Sequence, residues 1–176
     1  MTKLKPQHIG LVTTALMIAA LMLAFYVLKL PFESNFQLLV YLIFTGGISL
    51  SLFNHYRGNT ANKNFKDYFS VGFKTFVIVA LLMAVFSYVF FSIHTDFRDA
   101  KIAENNKLIM AEGNHLPHEI EENAKQLKKL FMPIMVSSAM FRYLIVGALV
   151  TAIGGAFLSS RKQRQVTGDY NNGHKK

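Results

Sequence analysis

Apolar residues in this chain arrive in long, nearly charge-free runs separated by polar stretches, with little strict alternation. Four such runs occupy about residues 9–29, 36–55, 68–93 and 133–160. About 20 residues of helix cross a hydrocarbon core of about 30 Å, so each run predicts a transmembrane helix. The last is the clearest. Tyr143–Ser160 carries no charge, follows Arg142, and stops at the basic cluster Arg161-Lys162-Gln163-Arg164. The pattern predicts an all-α fold, an integral membrane four-helix bundle with a helical hairpin inserted between the third and fourth spans. Residues 1–160 form a single membrane domain.

The connections differ in kind. Lys3 and Lys5 precede the first run, which is longer than the 7–15 apolar residues of a secretory leader and lacks a convincing cleavage site. It is expected to remain as a first span. Pro31, in Lys29-Leu30-Pro31-Phe32-Glu33-Ser34-Asn35, ends that helix and makes a short turn into the second. Residues 54–67 are polar, Asn-rich and basic, the composition of a loop.

The third connection is too long for a bare turn, and its pattern is helical. Ile102, Asn106, Ile109 and Met110 form one stripe, and Ile120, Ala124, Leu127 and Phe131 form another. Gly113-Asn114 supplies a helix stop between them, and Pro117 suits a first helical turn. Glu119, Glu121 and Glu122 crowd the start of the second helix, and Lys125, Lys128 and Lys129 crowd its expected end. Both clusters complement the helix dipole, and Glu121 to Lys125 is the favourable i, i+4 order. The expectation is an extramembrane hairpin over about 95–131, projecting from the membrane or lying on it. Pro133 is expected to open the last helix, and the polar tail 161–176 to be disordered.

Charge adds an orientation. Basic residues are concentrated at the amino-terminal arm, in the second connection (net +2) and in the tail (net +4). The first connection is neutral, and the third is net −1 although it holds six basic residues. Positive segments alternate with neutral or acidic ones, which predicts both termini in the cytoplasm. The whole chain is +9, with 52% hydrophobic and only 16% charged residues, where soluble domains carry about 25% charged. The excess sits beside apolar spans, where anionic headgroups are the natural partner, and no nucleic-acid motif accompanies it. With no cysteine, disulfides and thiolate chemistry are excluded.

Candidate functional residues are few. Lys74 and Arg142 are the charges within the predicted spans, and two roles fit them. Counted against about 20 residues, each falls near an interface and can snorkel to headgroups; the competing role is a buried or pore-lining charge. In the last helix Gly147, Thr151, Gly155 and Ser159 make one small-residue row, beside Ala148, Ala152, Ala156 and Ser160. Such rows admit a neighbouring helix, from this chain or from a second copy. Gly46 and Gly47 offer a similar approach in the second span. His115 and His118 lack a third ligand at fixed spacing, so neither a metal nor any other cofactor is expected. No nucleophile elbow, phosphate loop or HExxH is present, and no catalytic residue is assigned.

The layout resembles a family of small bacterial membrane proteins known as domain of unknown function 4199. The resemblance rests on the four runs, Tyr56-Arg57 closing the second, and Phe65-Lys66-Asp67-Tyr68-Phe69-Ser70-Val71-Gly72-Phe73-Lys74 leading into the third. An acid-containing helical connection ending at Phe131-Met132-Pro133 completes it. It implies a multi-pass inner-membrane protein of Gram-negative bacteria and supplies no activity. The resulting expectation is a non-enzymatic interaction or assembly factor whose partners are the lipid bilayer and either a second copy or another membrane protein. The alternative is a small transporter or channel subunit.

Overall fold

A computed structural model describes residues 5–29, 36–58, 63–113 and 116–173, the side chains of Glu112 and of 162–173 excepted. The described chain is helical throughout: α1 (Pro6–Met22), α2 (Phe36–Tyr56), α3 (Phe65–Ile93), α4 (Thr95–Glu112) and α5 (Pro117–Gly173). The turn expected at Pro31, residues 59–62 of the second connection, Asn114 of the expected helix stop, and His115 lie outside the described residues.

Local chemistry explains the boundaries. Lys5 is extended and Pro6 opens α1, where its missing N–H belongs to a group that has no intrahelical partner anyway. At its other end α1 widens into a π-helical turn, Leu23–Val27, in which the Leu28 N–H reaches the Leu23 carbonyl. Lys29 then takes a left-handed φ of 49°, which ends the helix. At α3, the Asp67 carboxylate accepts the Asn64 N–H at 2.9 Å while the Asp67 N–H donates to the Asn64 carbonyl at 3.0 Å. This is a reciprocal cap at a helix start. α3 and α4 are separated by one non-helical residue, His94, whose ring stacks on Phe90 at 4.4 Å. Gly113 closes α4 at φ 70°, a conformation that costs glycine little.

Two boundaries depart from the sequence reading. Pro133 does not begin a helix, because α5 starts at Pro117 and passes through it. A proline inside a helix forfeits the hydrogen bond to the carbonyl four residues back, here Lys129, and the apolar helix formers on either side carry the helix across. The helix also runs on to Gly173, through residues whose polar composition suggests disorder. The stretch Lys162-Gln163-Arg164-Gln165 is rich in helix formers and contains nothing to stop α5 at Arg161.

The chain forms two compact units. Unit 1 comprises residues 1–82 and 142–176, and unit 2 residues 83–141. In unit 1, α1 buries Ile9, Gly10, Thr13, Thr14 and Met17, and α2 buries Val40, Phe44, Gly47, Ile48, Ser51 and Leu52. α3 adds Tyr68, Thr75, Phe76, Val79 and Ala80. α5 adds Tyr143, Gly147, Thr151, Gly155 and Ser159, at every fourth position. The large apolar residues between them, Ile145, Leu149, Ile153 and Phe157, are exposed, Ile153 at 71%. On α5 after Tyr143, small side chains face inward and large apolar ones outward, as suits a helix solvated by hydrocarbon.

Unit 2 packs the end of α3, α4 and the first half of α5 around aromatic rings. Phe91 meets Phe97 and Phe131 at 5.7 Å each, the second pair edge-on. Ile120 and Phe131 of the second stripe are buried; in the first stripe Ile102, Asn106 and Ile109 are half-buried and Met110 is exposed.

Candidate functional site

The inner face of α5 in unit 1 fits α3 by the absence of side chain. A Cβ on Gly147 would come within 2.6 Å of the Phe76 side chain, and one on Gly72 within 2.5 Å of the Thr151 hydroxyl. Gly155 lies against Tyr68 and Phe65. Of the predicted row Gly147, Thr151, Gly155 and Ser159, the first three therefore face α3, and Ser159 is buried. Ala156 and Ser160 of the neighbouring row are exposed. The paired glycines of α2 separate. A Cβ on Gly47 would collide with Thr13 of α1 at 2.2 Å, whereas one on Gly46 would meet nothing within 4 Å.

Hydroxyl groups run through the same interior. Thr13 and Thr14 bond back to the carbonyls of Ile9 and Gly10, at 2.7 and 2.9 Å. Ser51 and Thr75 join α2 to α3 at 2.8 Å. Thr75 Oγ1 also donates to the Val71 carbonyl at 3.1 Å and reaches the Pro6 carbonyl at 3.3 Å. The Tyr68 Oη and Thr151 Oγ1 atoms are buried with no hydrogen-bond partner among the described residues.

One end of unit 1 is basic. Lys63, only 4% exposed, turns its ammonium onto the carbonyls of His55 and, at 2.6 Å, Gly58, where α2 terminates. A cation there satisfies carbonyls left without intrahelical donors and complements the helix dipole. Nearby, the His55 ring meets the buried Tyr68 ring edge-on at 5.3 Å. Arg57 stacks over Phe53 at 4.5 Å and Arg161 over Phe157 at 4.8 Å, each an i, i+4 pair.

Lys74 and Arg142 are both exposed. Lys74 precedes Thr75, whose hydroxyl touches the Pro6 carbonyl, so it lies level with the first residue of α1. Arg142 precedes Tyr143, which is packed against Tyr41 and Phe44. Both therefore stand on the outside of the packed helices.

In unit 2 a groove of about 310 Å³ runs between α4 and α5. Ile102, Leu108, Leu127, Phe131 and Met135 line it, with Lys101, Glu104 and Asn105 at its rim. Leu108, Met110 and Leu130 are exposed on the same helix pair, and Leu116 is exposed just before α5. Ion pairs decorate the surface: Arg98–Asp99 at 2.9 Å, Lys101–Glu104 at 3.0 Å and Lys125–Glu121 at 2.9 Å. The hydrogen bond from Arg98 holds the Asp99 carboxyl below its ordinary range, as the bond from Lys125 does for Glu121. The same bond raises Lys125. Among the described residues no three His, Asp or Glu side chains converge as a metal site would require.

Sequence reasoning singled out neither Lys63 nor the α4–α5 groove. Lys63 sits in a polar, Asn-rich stretch that reads as solvated. The groove arises from the pairing of two stripes whose register only packing reveals.

Four helices, or parts of them, are long and apolar enough to cross a membrane: Pro6–Val27, Phe36–Tyr56, Phe65–Ile93 and a segment within Pro117–Arg161. With the outward apolar face of α5, they make this an all-α membrane protein. A family model described as "Protein of unknown function (DUF4199)" matches residues 9–160, and the chain belongs to that family. No curated protein and no solved structure matches the chain.

Proposed function

We propose that this chain is a multi-pass protein of the bacterial inner membrane, with both termini cytoplasmic, that serves as an interaction or assembly factor. The α4–α5 hairpin is its outward-facing contact element. The observation that carries the reading is the α4–α5 groove, apolar along its floor and polar at its rim, on a helix pair that leaves Leu108, Met110 and Leu130 exposed. Such a groove suits the apolar face of a helix from another membrane protein. The placement of Lys74 and Arg142 outside the packed helices favours interfacial anchoring over a pore. The collection of Arg57, Lys63 and Arg161 at one end of unit 1 favours that end as cytoplasmic.

Photo-crosslinking from a probe at Leu108 in intact cells tests the role. A discrete adduct that Leu127→Glu abolishes is expected, and adducts no different from those of a probe at exposed Lys107 would overturn it. Orientation is read separately. Because the chain has no cysteine, Asn105→Cys and Gln163→Cys each introduce a single thiol. An impermeant reagent applied from outside the inner membrane should label the first and spare the second; the reverse would overturn the topology.

A further inference from the structure

A second apolar recess lies in unit 1, on the outer side of α1 and α2. Ile9, Val12, Thr13 and Leu16 form one wall, Ile43, Gly46, Gly47 and Leu50 the other, and His8 stands at one end. Its volume is about 310 Å³. The two glycines divide the work. Gly47 is filled by Thr13, which pulls the helices together, while Gly46 is exposed and leaves a notch that no side chain of the described residues enters. The Thr13 hydroxyl is already bonded to the Ile9 carbonyl, so this wall offers no free polar group. From Ile9 to Leu16 the groove follows about 10 Å of helix, which fits within the roughly 15 Å depth of one leaflet.

We infer that this groove is a binding site for one anionic phospholipid, with an acyl chain in the Gly46 notch and the phosphate at the His8 end. The chain end follows from the medium. An open, apolar recess on a helix surface that faces hydrocarbon is filled by hydrocarbon, because an empty one forfeits dispersion contacts on one side. The headgroup end follows from charge. Lys5, three residues before His8, is exposed beside it at the point where the chain enters α1. A fixed cation one helical turn away and an imidazole N–H donor at the end of an apolar slot complement a phosphodiester, and they give no advantage to a zwitterionic lipid whose own choline competes.

Native mass spectrometry of the purified full-length protein, equilibrated with equal phosphatidylglycerol and phosphatidylcholine of identical chains, tests the site. Wild type should retain one lipid, enriched about fivefold or more in phosphatidylglycerol. Gly46→Leu should lose most retention of both lipids while keeping the wild-type thermal transition, since the added side chain enters open space. The pair Lys5→Gln and His8→Gln should keep a retained lipid but lose the preference. Leu42→Ala, at an exposed position of α2 that does not line the groove, should change nothing. Equal retention of the two lipids by wild type, or unaltered retention in Gly46→Leu, would overturn the inference. So would a wild-type dimer that Gly46→Leu converts to monomer, because a second copy would then fill the groove.

Discussion

α5 obeys two packing rules along one continuous helix. In unit 1 it turns glycine and hydroxyl residues inward and leaves Ile145, Leu149, Ile153 and Phe157 outside. In unit 2 the same helix buries Ile120 and Phe131 and exposes Glu121, Glu122, Lys125, Lys128 and Lys129. The backbone is the same; the expected solvent is not. Where hydrocarbon surrounds the helix, burying a large apolar side chain gains little and close backbone approach gains most. Where water surrounds it, the apolar side chains are what must be hidden.

That contrast is open to measurement. The largest expected effect is at Phe131, where truncation to alanine removes a buried ring and costs about 3 kcal/mol. Hydrogen exchange should accelerate through residues 95–131 and leave the α1 and α2 amides unchanged; uniform acceleration would mean that the hairpin does not open by itself. Next is Gly147→Leu, which drives a branched side chain into Phe76 and costs about 1–3 kcal/mol by overpacking. Its thermal transition in detergent should fall well below that of Gly46→Leu. If both glycines tolerate leucine equally, small-residue packing does not hold unit 1. Smaller again is the Ser51–Thr75 hydrogen bond. A double-mutant cycle with Ser51→Ala and Thr75→Val should return a coupling of about 0.6 kcal/mol, the usual worth of a polar contact between membrane helices.

The smallest effect is electrostatic. Glu121 ionises more readily in the folded hairpin than in an unfolded chain, so its stabilisation is complete above the ordinary glutamate range and fades as pH falls through the depressed value. Lys125 is raised instead; its contribution is complete below the ordinary lysine range and fades only as pH climbs past it. Both groups are fully exposed, so salt screens the pair. Protection of the hairpin amides should fall slightly as pH drops from the ordinary glutamate range through the depressed one, and Glu121→Gln should reduce that loss, leaving the part that Asp99 contributes.

Much of this architecture was legible because it rests on run length and period. Four apolar runs and two amphipathic stripes require no knowledge of neighbours, and Gly113 and Pro117 punctuate the hairpin by backbone chemistry alone. The row from Gly147 to Ser159 was legible for the same reason, since a repeat of four marks one face. The difference between Gly46 and Gly47 was not, because adjacent residues point about 100° apart and only the position of α1 decides which meets Thr13. Pro133 misled because one proline marks a helix start or an interior defect, and the choice lies in the helix formers around it.

Lys63 acts at two moments in the life of the chain. While the chain is being inserted, no folded bundle yet exists, and in the proposed topology this lysine is one of the cations that hold the second connection on the cytoplasmic side. Once α2 and α3 have packed, its ammonium lies on the carbonyls that end α2. In that topology one residue serves as a retention signal first and a structural clasp afterwards, and the two duties can be separated. Lys63→Gln, with the remaining basic residues intact, should insert in the native orientation and lose only the clasp.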